Sequence, residues 1–288
     1  VSPPAGVPVR GKVIMIHGFT ACPQQFFEWS EQLAEKGWVS YLLTMPGHGR
    51  SPLPGGGEDF ESIPGYGDDS GYADLARDVV KLAKSDELPT VVVGVSVGGA
   101  IALDAVLQSP EDFEQALLLS PFFAVAHGLG RTLGLPLVGR APFIQNKMIG
   151  WGAPCIEEMK LGRGGVCNFR LHHIATAQSY GKKVAESAKP VVTRVQFIGV
   201  QDDPAASNEW SLYAAQKLGW KPGSSAVAAC HYRKPANHSL LSRFDAPKED
   251  KFWLDALLRD ASAFVDESKF FPASGGSAKV FPLCSTEP

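Results

Sequence analysis

Five consecutive residues, Gly94-Val95-Ser96-Val97-Gly98, fit the pattern G-x-S-x-G, and Gly99 follows. A serine at the top of a sharp strand-to-helix turn stands in strained backbone. The chain approaches itself closely there, so only small residues fit two positions to either side. The flanks suit that turn: Thr90–Val95 is a β-branched run, and Ala100–Leu107 reads as a helix with small residues at its start. Ser96 then lies at a helix N-terminus, where developing negative charge is favoured. The chemistry this suggests is nucleophilic attack on an acyl carbonyl. A dinucleotide-binding loop fits poorly, because Gly94 to Gly99 lacks the G-x-G-x-x-G order.

A serine hydroxyl is a weak nucleophile at neutral pH and needs a base within hydrogen-bond reach. Around such a turn the chain order is serine, acid, histidine. His238 follows the last strand, Ala226–Arg233, in the loop Lys234-Pro235-Ala236-Asn237-His238-Ser239, and is the candidate base. His231 lies inside the strand. The acid belongs after the strand Val191–Val200, where Asp202 and Asp203 are adjacent. Counting from Gly199 selects Asp202, whereas Asp203-Pro204-Ala205-Ala206 has the commoner loop ending. Asp203 is preferred, with the other carboxylate a solvated charge or a cap for the following helix. The acid's task is to fix the tautomer of His238 and to stabilise its imidazolium.

The oxyanion of a tetrahedral intermediate needs two aimed N–H groups. Val97 after the nucleophile and Phe19 in His17-Gly18-Phe19-Thr20, directly after the strand Lys12–Ile16, are the candidates. His17 reads as a shaper of that loop rather than a base. His48, His127, His172 and His173 read as structural or surface residues.

The elements that must position these groups alternate. Strands at Lys12–Ile16, Trp38–Leu43, Thr90–Val95, Gln115–Ser120, Val191–Val200 and Ala226–Arg233 are separated by helical stretches. The helices are Phe26–Lys36, Tyr72–Ala83 (apolar side Leu75, Val79, Leu82), Ala100–Leu107, Trp210–Leu218 and Lys248–Val265. Such alternation predicts a mostly parallel sheet covered on both faces. The rhythm breaks over 122–189, which mixes large apolar residues with many glycines and reads as an inserted cap or lid. Phe122, Phe123, Phe143 and Trp151 in and around it are candidates to line an acyl or alcohol pocket. Residues 268–288, rich in Ser, Gly and Pro, read as an extended tail.

The bulk numbers narrow the classes. At 288 residues, 44% hydrophobic and 20% charged, the composition is that of an ordinary globular chain. A net charge of −3 without a basic block gives no footprint for nucleic acid. No apolar run approaches the ~20 residues of a membrane span. The start at Val1 is read as a processed or trimmed N-terminus. Five cysteines, Cys22, Cys155, Cys167, Cys230 and Cys284, show neither CxxC nor zinc spacing. They read as buried thiols, with a Cys155–Cys167 disulfide as the alternative.

Taken in order, His17-Gly18-Phe19, Pro46-Gly47-His48-Gly49-x-Ser51, Gly94-x-Ser96-x-Gly98, Asp203 and His238 resemble the α/β-hydrolase superfamily. The resemblance is to its esterase, lipase and monoacylglycerol-lipase-like branch, and it spans roughly residues 10–266. It implies an eight-stranded, mostly parallel sheet with helices on both faces and a cap after the sixth strand. It also implies an acyl-enzyme mechanism that uses no metal or cofactor. The expected organisation is a core of 1–121 and 190–267, a cap of 122–189 and a tail of 268–288. The expected substrate is a small-molecule or lipid ester. Thioesters, amides, lactones and carbon–carbon bonds are the chemical rivals on such a fold. A non-catalytic binding protein is the rival from another class.

Overall fold

The computed structural model describes residues 1–48, 62–126, 143–150, 165–233, 236, 238, 240–241, 252–275, 277 and 279–285. The chain begins with strand β1 (Gly11–Ile16), helix α1 (Phe27–Glu35) and strand β2 (Trp38–Leu43). Helix α2 (Ser70–Ala83), strand β3 (Thr90–Val95), helix α3 (Val97–Gln108) and strand β4 (Gln115–Leu119) follow. Two three-residue strands, β5 (Met148–Gly150) and β6 (Asn168–Arg170), pair antiparallel, and helix α4 (Leu171–Ser187) continues from β6. Strand β7 (Arg194–Val200), helix α5 (Asn208–Lys217), strand β8 (Val227–Tyr232) and helix α6 (Phe252–Glu267) resume the alternation. Two-residue strands β9 (Ala273–Ser274) and β10 (Leu283–Cys284) end it.

These strands form one sheet of eight in the order β2-β1-β3-β4-β7-β8-β10-β9, parallel except for the β9–β10 pair. The central strands β1, β3, β4, β7 and β8 are buried on both sides because their side chains alternate between two apolar layers. Ile14, Ile16, Val92, Ala116, Leu118, Val195 and Phe197 face one layer, with residues of α2, α3, α4 and α5. Val13, Met15, Val91, Val93, Val95, Leu117 and Ile198 face the other, with α1 and α6. Helix α3 is apolar nearly all round and is buried along its length, as a helix enclosed by sheet and neighbouring helices must be.

Three expectations need correction. The buried stripe of α2 is Tyr72, Ala76, Val79 and Ala83, and Leu75 and Leu82 are only partly buried at its flank. The small Ala76 and Ala83 let α2 lie close against α3, so the inward stripe runs through them and Tyr72 rather than through the leucines. The tail does not run free. It returns so that β10 pairs parallel with β8, and Phe271 and Phe281 are buried. Cys230 and Cys284 are joined in a disulfide rather than standing as buried thiols. Cys22 is a buried free thiol, and Cys167 is disulfide-bonded, while Cys155 lies outside the described residues.

The order of strands reverses at β1. From β1 the chain passes through α1 to β2 on one side, whereas from β3 it passes through α3 to β4 on the other. A crevice opens beyond the C-terminal ends of strands at such a switch point. The residues that follow β1 and β3 are His17-Gly18-Phe19 and Ser96.

Candidate active site

Ser96 occupies the single step between β3 and α3, with φ 54° and ψ −119°. That conformation is strained for any residue with a Cβ. Neighbouring backbone over-determines it. The Ser96 N–H donates to Leu119 O at 2.9 Å, and the Ser96 carbonyl accepts from Phe122 N–H at 2.8 Å. The two pattern glycines explain themselves by space. A Cβ on Gly94 would stand 2.1 Å from Gly98 O, and one on Gly98 would stand 2.2 Å from Ile16 O. Other non-glycine residues with positive φ occupy the same edge of the sheet: Thr20 after β1, Ser120 after β4 and Asp202 after β7. Strain of this kind concentrates at functional sites.

His238 meets Ser96 from the far end of the chain. Its Nε2 lies 2.8 Å from Ser96 Oγ, and its Nδ1 lies 2.8 Å from Asp203 Oδ2. The second carboxylate oxygen of Asp203 accepts from the N–H groups of Ala205, at 2.8 Å, and Ala206, at 3.0 Å. The carboxylate is therefore buried, held at both oxygens and unable to turn away from the imidazole. Of the two adjacent acids the fold brings Asp203 to His238, and Asp202 stays exposed. The segment behind Asp203 is stitched to the residues after β4: Ala126 N–H donates to Ala205 O, and Ser207 N–H donates to Ala124 O.

The loop after β1 lies against Ser96, since a Cβ on Gly18 would stand 3.4 Å from Ser96 Cβ. Two buried histidines fix it. His17 donates from Nδ1 to Gly18 O and accepts Met45 N–H at Nε2. His48 donates from Nδ1 to Pro46 O and accepts Thr20 N–H at Nε2. Burial pushes their pKa values down to about 3 and about 4, so both rings are neutral and can accept. Among the described residues no backbone carbonyl accepts from the Phe19 or Val97 N–H. His231 is nearly buried within β8, and His172 and His173 are buried at the start of α4; none of them reaches Ser96. His127 lies outside the described residues. The sequence reads His48 as structural or surface and gives it no partner, and it gives no role to the N–H groups of Ala205 and Ala206. Pro46-Gly47-His48 marks a loop and a family motif but not the bond to Thr20, and the two alanines act through main-chain N–H groups that carry no side-chain signal.

Of the four aromatic residues expected to line a pocket, the three among the described residues do not converge. Phe122 and Phe123 are buried in the main apolar layer, packed with α4, because Gly181 there lets the chain pass directly over their backbone. Phe143 is 98% exposed. Trp151 lies outside the described residues. Among the described residues no group of three or more His, Cys, Asp or Glu side chains could hold a metal ion, and no helix is long and apolar enough to cross a membrane.

Comparison with known proteins places this geometry in context. The family described as serine aminopeptidase, S33 (Hydrolase_4) matches residues 7–194. A monoacylglycerol lipase of Mycolicibacterium smegmatis is 27% identical over 126 residues, which cover 43% of this chain and 42% of that protein. The matched part is thus under half of that relative's length. Among solved structures, a monoacylglycerol lipase of Paleococcus ferrophilus superposes with TM-score 0.67 at 15% identity, covering 92% of this chain and 97% of the other. A soluble variant of monoglyceride lipase from Saccharomyces cerevisiae, bound to a substrate analogue, superposes with TM-score 0.67 at 18% identity, covering 92% and 89%. At such identities these two likenesses establish a shared fold.

Proposed function

Because the chain belongs to the Hydrolase_4 family (serine aminopeptidase, S33) and has the α/β-hydrolase fold, we propose that it hydrolyses carboxylic esters through an acyl-enzyme on Ser96. The observation that carries this reading is the unbroken chain of contacts Ser96–His238–Asp203, with 2.8 Å at each step.

In this reading Ser96 Oγ attacks the acyl carbonyl while His238 Nε2 takes its proton. The N–H of Nδ1 points at Asp203, which stabilises the imidazolium as it forms. Phe19 and Val97 N–H groups receive the oxyanion, a contribution of roughly 3–4 kcal/mol for a single donor in a comparable hole. The carbonyl re-forms and expels the alcohol, which leaves with the proton from His238. Water then repeats the sequence on the acyl-enzyme and releases the acid. The ester class is supported by the relatives named as monoacylglycerol and monoglyceride lipases. Within the expected cap 122–189, between core parts 1–121 and 190–267, the segment carrying β5 and β6 is taken as the insertion, since Phe122, Phe123 and α4 pack in the core layer. Support comes from the β5–β6 ribbon, which pairs outside the main sheet.

The test combines labelling with turnover. A fluorophosphonate probe is expected to label the protein at Ser96, and Ser96→Ala is expected to lose the label. A panel of acyl esters, acyl thioesters and aminoacyl amides is expected to show the highest kcat/KM for esters. An unlabelled wild-type protein, or faster cleavage of the amides, would overturn the proposal.

A further inference from the structure

His48 belongs to neither the triad nor the nucleophile turn, yet its ring is 3% exposed and committed at both nitrogens. Nδ1–H is held by Pro46 O at 2.9 Å, which aims Nε2 at the Thr20 N–H, also 2.9 Å away. Thr20 is in the left-handed region at φ 64°, an unfavourable conformation for a β-branched residue. The bond from Thr20 N–H to His48 helps hold it there on the main chain next to Phe19, while Thr20 O accepts from Val166 N–H on the other side. The Phe19 ring adds an edge-on contact to the His48 ring, with centroids 5.8 Å apart. On the other flank His17 is anchored through Met45 N–H. The Gly18–Phe19 peptide is therefore suspended between two imidazoles, both tied to the segment that follows β2.

We infer that His48 is a positioning residue that aims the Phe19 N–H at the oxyanion by locking Thr20 in its left-handed conformation, an inference that rests on the acyl-transfer reading of Ser96. A displacement of about 1 Å in such a donor is enough to lose roughly 10²-fold in rate. Ground-state binding of the ester does not use this donor at full strength, so the loss belongs in kcat.

Three variants test this. His48→Phe keeps the ring and removes both polar contacts. His48→Gln places an amide oxygen near the position of Nε2 and can still accept from Thr20. His48→Asn retains a polar group near Nδ1 but leaves Thr20 without an acceptor. On a p-nitrophenyl ester, His48→Phe is expected to lower kcat about 10²-fold with KM changed by less than about twofold. The inhibition constant of an alkyl trifluoromethyl ketone, whose hemiketal oxyanion occupies the same hole, should rise by a similar factor. His48→Gln should recover most of both losses, and His48→Asn should not. If His48→Phe does not fold, the contrast between Gln and Asn carries the test. Equal kcat in wild type and the Asn variant, a ketone affinity that stays constant while kcat falls, or equal impairment of Gln and Asn would overturn the inference. A wild-type protein that resists the fluorophosphonate and leaves esters intact would instead defeat the ester hydrolase reading itself.

Discussion

The Ser96 side of the site is assembled from neighbours in sequence. Ser96 is the step between β3 and α3, and the glycines that admit its turn lie two residues away. The His238 side is assembled from distant segments. His238 stands six residues beyond β8, its acid follows β7, and β8 is braced by β10 from the chain's last residues. The Cys230–Cys284 disulfide ties those two strands across a sequence separation of 54, His231 N–H donates to Pro282 O, and Phe281 packs on Trp220. The first half is determined locally and sits between two apolar layers. The second half depends on long-range contacts near the sheet's edge. Damage to the two halves should therefore differ in kind: chemistry alone on one side, stability and geometry on the other.

The largest expected effect tests the local half. Ser96→Ala should lower kcat by something on the order of 10⁶, as removal of the nucleophile does in serine proteases, with the fold intact by circular dichroism. Next, Asp203→Asn should lower kcat about 10⁴-fold, whereas Asp202→Asn should stay within about threefold, since only Asp203 touches His238. Equal losses in the two variants would break the assignment of the acid. A third test addresses the remote brace. Cys284→Ser should lower stability in urea by about 2–4 kcal/mol, the usual range for a native disulfide, while kcat at 25 °C stays close to wild type. A stability unchanged within about 0.5 kcal/mol would show that β10 adds nothing to the edge beside the base.

A pH series sharpens the same contrast. His17, His48 and His173 are buried neutral, with pKa values lowered from 6.5 to about 3, 4 and 3 by desolvation. A group whose folded pKa is depressed stabilises the fold above its unfolded pKa, and that stabilisation is lost as pH falls. The unfolded chain takes up these protons first, so unfolding free energy should drop progressively from about pH 6.5 towards pH 4. Each histidine contributes a slope of up to about 1.4 kcal/mol per pH unit. His48→Gln should flatten that slope by one histidine's share. A urea series at pH 7, 6, 5 and 4 reads both.

The same division governs what the sequence alone reveals. Strands β1, β3, β4 and β7, the turn at Ser96 and the loop holding His238 are legible because each is encoded by local pattern. The choice between Asp202 and Asp203 is only weakly so, since counting from Gly199 and the loop ending point to different carboxylates. Both follow β7 immediately, and only the turn that lets Ala205 and Ala206 N–H groups grip one carboxylate distinguishes them. The β10 strand is two residues long in a Ser/Pro-rich stretch, and its pairing is set by a partner more than fifty residues away. Helix α4 hides for another reason. Its inward residues, among them Ala177, Gly181 and Ala185, are small because it lies close on the core, and small residues make a weak apolar signal.

The backbone angles at Ser96 set activity against durability. A Ser96→Gly variant, which accepts φ 54° without penalty, should melt at a higher temperature than Ser96→Ala, with a gap of about 1–2 kcal/mol, since both lack the hydroxyl and only alanine keeps the strain. The most heat-resistant version of this protein at that position would be one that can no longer turn over anything.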